Sequence, residues 1–142
     1  MNIKCHLSQI ICKCQHGFLR GKSSVTNLLE AINYIGRILD NGGQVDTIYL
    51  DMSKAFDRIN HTKLITKLRN YGFGGNLLKW FQSYLSDRCQ RVTVLGCTSN
   101  TLPVSSGVPQ GSILGPALFL LYINDLRDSV KTSEVTMFAD DT

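Results

Sequence analysis

The sequence predicts an α+β domain, and three observations carry the prediction. Two short apolar runs of strand composition end in aspartates: residues 47–51, TIYLD, and residues 134–141, EVTMFADD. Between and before them, apolar residues recur at helical spacing in several stretches. A loop rich in glycine and proline, residues 107–116, then precedes an apolar segment suited to a buried helix.

Taken in order, residues 1–14 carry no clear period and form a poorly defined segment, leaving 15–142 as the folded unit. Val25, Leu28, Leu29, Ile32, Ile35 and Leu39 share one helical face, opened by the Ser23-Ser24 cap and stopped by Asn41-Gly42-Gly43. That stripe is expected to pack on the sheet. Residues 47–50 should form a buried strand that delivers Asp51 to the sheet edge. Asn60 can cap a helix with a core face of Leu64, Ile65 and Leu68, ending at Gly72. A further helix over 76–85 offers Leu77, Leu78, Phe81, Tyr84 and Leu85, with Trp80 expected in the core beside them. Residues 90–95 and 101–105 have strand composition around a five-residue loop, 96–100, and a buried helix spans 117–126. The chain ends one residue after Asp141, so the aspartate turn is expected to fray.

The length of 142 residues suits one domain, and 43% hydrophobic residues suit a globular one. A formal charge of +4 is compatible with a polyanionic partner without demonstrating one. No apolar run reaches the length of a membrane span and no signal-peptide core opens the chain, which points to an intracellular protein, cytoplasmic or nuclear. Five cysteines without a secretory signal imply free thiols. Cys5, Cys12 and Cys14 lie near His6 and His16, but no C-x2-C knuckle or second half-site supports a zinc site.

The chemistry lies in the paired aspartate-ended strands. With the two strands side by side, Asp51, Asp140 and Asp141 would converge, and three carboxylates that close make sense mainly around divalent cations. Oxygen ligands suit Mg²⁺, and two such ions about 4 Å apart activate an attacking hydroxyl and stabilise a leaving oxygen. The plainer alternative makes Asp51 a helix N-cap and Asp140-Asp141 a turn. A competing motif, residues 17–23, GFLRGKS, approaches a phosphate-binding P-loop. It has three residues between its glycines where four are needed, and His16 stands where the first glycine should be.

Four blocks in order, QHGFLRGKSSVTNLLE, YLDMSKAFDRINH, GVPQGSILGPALFLLYINDL and FADD, resemble the reverse transcriptase of non-LTR (LINE-like) retrotransposons over residues 15–142. The resemblance implies a partial right-hand polymerase palm, an antiparallel sheet with helices on one face, with fingers incomplete and thumb absent. It implies RNA-directed DNA polymerase activity: a primer 3′-hydroxyl attacks a deoxynucleoside triphosphate on an RNA template, with Mg²⁺, or Mn²⁺ in its place, as cofactor. Asp51, Asp140 and Asp141 match the family's catalytic aspartates, and the Met52 carbonyl its additional metal ligand. Lys54 and Ala55 fall where backbone meets the triphosphate. Phe56 falls on the steric gate, where a rigid ring occupies the volume a 2′-hydroxyl would need. Gly107, Pro109, Gln110 and Gly111 match the loop facing the nucleotide and template base. Leu19 departs from the family's arginine at that place, with Arg20 one position on. The expected partners are RNA template, DNA primer and deoxynucleotides, with no membrane. A truncated chain of this kind is expected to be inactive alone, and a noncatalytic RNA-binding remnant is the alternative.

Overall fold

The computed structural model describes residues 9–142. Helix α1, Ser24–Asp40, opens with a capping box: the Ser23 hydroxyl accepts from the Thr26 amide, and the Thr26 hydroxyl accepts from the Ser23 amide. A 3₁₀ turn, Ala55–Arg58, leads to α2, His61–Asn70, where the Asn60 side chain accepts from the Lys63 amide. Helix α3 is Gly75–Leu85. Four two-residue strands follow: β1 Cys89–Gln90, β2 Thr93–Val94, β3 Cys97–Thr98 and β4 Leu102–Pro103. Helix α4 is Leu114–Ile123 and a short turn, α5, is Leu126–Ser129.

The core forms where α2, α3 and α4 meet. Leu64 and Leu68 of α2, Leu78, Phe81 and Leu85 of α3, and Leu118, Phe119 and Leu121 of α4 are buried in one cluster with Ile59 and Phe73. Each such side chain contributes about 1.5–3 kcal/mol of burial. The α4 sequence, LGPALFLLYI, is apolar all round, as a helix covered on most sides must be. Although residues 10–12 show no period, Asn124 at the end of α4 ties them down, its Oδ1 accepting from the Cys12 amide at 2.7 Å and its Nδ2 donating to the Ile10 carbonyl at 3.0 Å.

Several expectations change. The described residues form two separate two-stranded antiparallel sheets, β1 with β4 and β2 with β3, so no single sheet collects the helices on one face. The α1 stripe does not pack on a sheet: the helix has no buried residue, and Leu28 is 59% exposed. Residues 47–50 do not form the expected buried strand: they carry no regular strand and are uncovered, with Tyr49 88% exposed. The two features share a cause, since no layer among the described residues covers either apolar face.

Trp80 is also outside the core at 48% exposure, stacked on Tyr84 with ring centroids 5.4 Å apart. The hairpin closes earlier than expected, because Val94 pairs with Cys97 across Leu95-Gly96, both at positive φ. Two central residues of that kind suit a tight turn that matches strand twist. The five-residue loop therefore gives way to a two-residue one, and Cys97–Thr98 becomes a strand. At the chain end, Thr142 exchanges backbone hydrogen bonds with Leu50.

Cys12 and Cys14 are disulfide-bonded, their Cα atoms 5.3 Å apart and within bridging range, which corrects the expectation of free thiols there. Cys89 and Cys97 are free and exposed, while Cys5 and His6 lie outside the described residues. No helix among the described residues is long and apolar enough to cross a membrane.

Candidate active site

Four chain segments lie side by side around the aspartate turn. The Phe138 amide donates to the Asp141 carbonyl at 2.8 Å and the Asp141 amide returns the bond at 3.1 Å, closing a hairpin with Ala139 and Asp140 at its tip. Thr142 turns its own amide and carbonyl the other way, to Leu50 at 3.0 and 2.7 Å. On the far side, Met137 bridges in parallel to Gln15: the Met137 amide donates to Cys14 and its carbonyl accepts from His16. Leu50, just before Asp51, thus pairs with the return arm of the turn, while Phe138 pairs with that arm and Met137 with residues 14–16.

The Leu50–Thr142 pair sets Asp51 opposite Asp141 in antiparallel register. Asp51 and Asp141 are exposed and Asp140 is half-buried at the tip. The backbone segments meet, but the expected convergence of three side chains is not reached: among the described residues no three acidic, histidine or cysteine side chains form a group able to hold a metal ion. Like charges at the surface separate into water at little cost. The donor chemistry nonetheless fits a hard divalent cation, with carboxylates and a carbonyl offering only oxygen. The Met52 carbonyl accepts from the Ala55 amide at 3.2 Å and keeps a second lone pair. Asp51 is not a helix cap, since the 3₁₀ turn is entered through Lys54, a left-handed residue at φ 54° and ψ 41°. Asp140 does occupy a turn.

A second group of expected site residues is brought together on that 3₁₀ turn. Gly107, at φ +85°, lies so close to it that an added Cβ would fall 2.8 Å from the Asp57 Cα. Its amide donates to Ile59 at 2.8 Å, and the Val108 amide to the Phe56 carbonyl at 3.0 Å. The Ser106 hydroxyl donates to the Asp57 carbonyl at 2.8 Å, and Gln110 Nε2 donates to Asp57 Oδ1 at 2.9 Å. Pro109 continues the loop, its carbonyl accepting from the Ser112 hydroxyl at 2.7 Å, and the Ser112 hydroxyl oxygen in turn accepts from the Gly115 amide in the first turn of α4. Gly111 has φ +75° with open space around it. The Phe56 ring stacks on Phe119 with centroids 4.3 Å apart. An open cleft of about 320 Å³ beside it is lined by Met52, Ser53, Ala55 and Arg58 against α4.

Three contributors were not singled out from the sequence. Gln15 is 1% exposed and its amide group holds Ala139 at both its N–H and its carbonyl. Asp57 and His61 anchor the 106–110 loop, His61 Nε2 lying 2.7 Å from the Gly107 carbonyl. The signal available was their place as polar residues inside the matching blocks. The P-loop candidate serves other ends: the Gly17 amide donates to Gln15 Oε1 at 2.7 Å, and the Lys22 ammonium donates to the Lys13 carbonyl.

Known proteins are similar to this chain in sequence. The sequence model of the reverse transcriptase (RNA-dependent DNA polymerase) family matches residues 1–142, and the chain belongs to that family. It is 31% identical over 143 residues to the RNA-directed DNA polymerase from mobile element jockey of Drosophila melanogaster, covering 96% of this chain and 16% of that protein. It is 35% identical over 135 residues to the probable RNA-directed DNA polymerase from transposon X-element of the same fly, covering 89% and 14%. Against the Pol polyprotein from type-1 retrotransposable element R2 of Popillia japonica it is 27% identical over 103 residues, covering 72% and 17%. The chain therefore spans less than a fifth of the length of these relatives.

Proposed function

We propose that this chain is the palm portion of an RNA-directed DNA polymerase, adding deoxynucleotides to a primer 3′-hydroxyl on an RNA template. The observation that supports the reading most is the Leu50–Thr142 backbone pair, which ties the segment bearing Asp51 to the arm of the Asp140-Asp141 turn. In this reading Asp51, Asp140, Asp141 and the Met52 carbonyl hold Mg²⁺, which when bound supplies Lewis acidity on the reacting phosphate oxygens.

The chain's own residues position the substrates. Left-handed Lys54 shapes the backbone of Lys54 and Ala55 that faces the triphosphate, and the stack on Phe119 keeps the Phe56 ring rigid enough to exclude a ribose 2′-hydroxyl. Gly107, Pro109, Gln110 and Gly111 face the nucleotide and template base, with Asp57 orienting the Gln110 amide. Template and primer are held through phosphates, so binding weakens as salt rises. Alignment supplies much of such an enzyme's rate, and this chain spans 16% of the length of the jockey polymerase it resembles. The 142-residue chain alone is therefore expected to be inactive.

The test is primer extension on an RNA template, by the chain alone and by the jockey polymerase with this sequence replacing its matching segment. The chimera should extend the primer and lose that ability with Asp51→Asn. Undiminished extension by the Asp51→Asn chimera would remove Asp51 from the mechanism, and robust synthesis by the chain alone would overturn the inactivity. Salt-dependent RNA binding with no incorporation in either protein would favour a noncatalytic remnant.

A further inference from the structure

We infer that Gln15 is a positioning residue for the Asp140-Asp141 turn, setting the backbone from which both carboxylates are presented; the inference rests on the polymerase reading above. Gln15 is 1% exposed, and its amide group is spent on one loop. Its Oε1 accepts from the Ala139 amide at 2.8 Å and from the Gly17 amide at 2.7 Å, and its Nε2 donates to the Ala139 carbonyl at 3.2 Å. Both lone pairs of the side-chain oxygen and one of its two N–H groups are thereby used.

The residue so held is the strained one. Ala139 has φ +56°, a conformation that side-chain-bearing residues avoid unless their surroundings impose it. Holding both its N–H and its carbonyl from a single planar amide fixes the orientation of the peptide units on either side, including the one that leads into Asp140. Gly17 packs against the same residue: a Cβ there would fall 2.3 Å from the Ala139 nitrogen, so the two backbones touch directly. The parallel bridge between Gln15 and Met137 anchors this clamp to the segment that enters the turn. A buried glutamine needing only its own polar atoms satisfied has no reason to take both groups of one strained residue next to a candidate ligand. No other side chain matches this one: Glu keeps the acceptor but loses the donor, Asn is a methylene short, and Met fills the space without bonding.

The experiment uses the 142-residue chain and NMR with two readouts: hydrogen exchange of the Ala139 amide, and Mn²⁺-induced broadening of the Asp51, Asp140 and Asp141 amide signals. Gln15→Met should speed Ala139 exchange and raise the Mn²⁺ midpoint, each by about tenfold or more. Gln15→Glu, which keeps the two accepted bonds, should fall between it and the native chain, and it carries the test if Gln15→Met does not fold. Leu78→Ala, which weakens the core away from the turn, should leave the midpoint where it is. Native Mn²⁺ binding with an unmoved midpoint in the Gln15 variants would overturn this inference and leave the polymerase reading standing. No broadening at any of the three aspartates in the native chain would overturn the metal-binding reading and this inference with it.

Discussion

Leu50 and Thr142, 92 positions apart in the sequence, exchange both of their backbone hydrogen bonds, at 2.7 and 3.0 Å. Because Thr142 points its polar groups toward Leu50 while Asp141 points its own toward Phe138, the arm of the aspartate turn is a strand between two neighbours. The site is thus built on a sheet reduced to single pairs.

That pairing predicts a contrast at one position. Leu50→Pro removes the N–H that Thr142 accepts, whereas Leu50→Ala removes only a side chain that is 52% exposed. The alanine variant should stay within about 0.5 kcal/mol of the native stability. The proline variant should lose protection of the Thr142 amide in hydrogen exchange, and retained protection would show that the pair does not hold the turn.

Glycine positions of similar φ should respond differently. Gly107→Ala forces a Cβ against the Asp57 backbone, while Gly111→Ala meets nothing within 4 Å. Urea denaturation should show a loss of about 1 kcal/mol at Gly111 from backbone strain, and at least about 2–3 kcal/mol at Gly107, where strain and clash combine. Equal losses would contradict the docking of the loop on the 3₁₀ turn.

The core and the open stripe of α1 offer a second contrast. Leu68→Ala empties a fully buried position between helices and should cost about 2–5 kcal/mol. Leu28→Ala, at 59% exposure, should cost about 0.5 kcal/mol or less beyond its helix propensity. A large loss at Leu28, measured by thermal or urea unfolding, would mean that this face is covered in solution.

Lys22→Ala tests the nucleotide-binding loop that residues 17–23 approach. The Lys22 ammonium is turned to the Lys13 carbonyl and Gly17 is pressed against Ala139, so no phosphate cradle is assembled there. Nucleotide affinity measured by calorimetry should be unchanged by the substitution, and a marked loss would revive that reading.

What the sequence disclosed follows from how local each signal is. The bounds of α1 and α2 were legible because Ser23 and Asn60 cap within three residues and the apolar period repeats over several turns. Burial was less legible, since an apolar stripe says that a face should be covered without saying by what. Leu28, Tyr49 and Trp80 all read as interior and are exposed. The Leu95-Gly96 turn is not legible in the sequence, since leucine is a poor residue for positive φ. In the site, Asp51, Asp140 and Gln110 stood out through their motifs, but the roles of Gln15 and Asp57 depend on partners at Ala139 and Gln110, distant in sequence, that no local pattern names.

The central claim, that Asp51 and the Asp140-Asp141 turn share bound metal, is tested most directly by letting the metal cut the chain. Fe²⁺ placed in the divalent site, with ascorbate and peroxide, generates hydroxyl radicals that cleave nearby backbone. The account predicts paired cleavage near residue 51 and near residues 139–141, competed by Mg²⁺ and lost at both places together in Asp51→Asn. Cleavage at one place only, or cleavage at the turn that persists undiminished in Asp51→Asn, would contradict it.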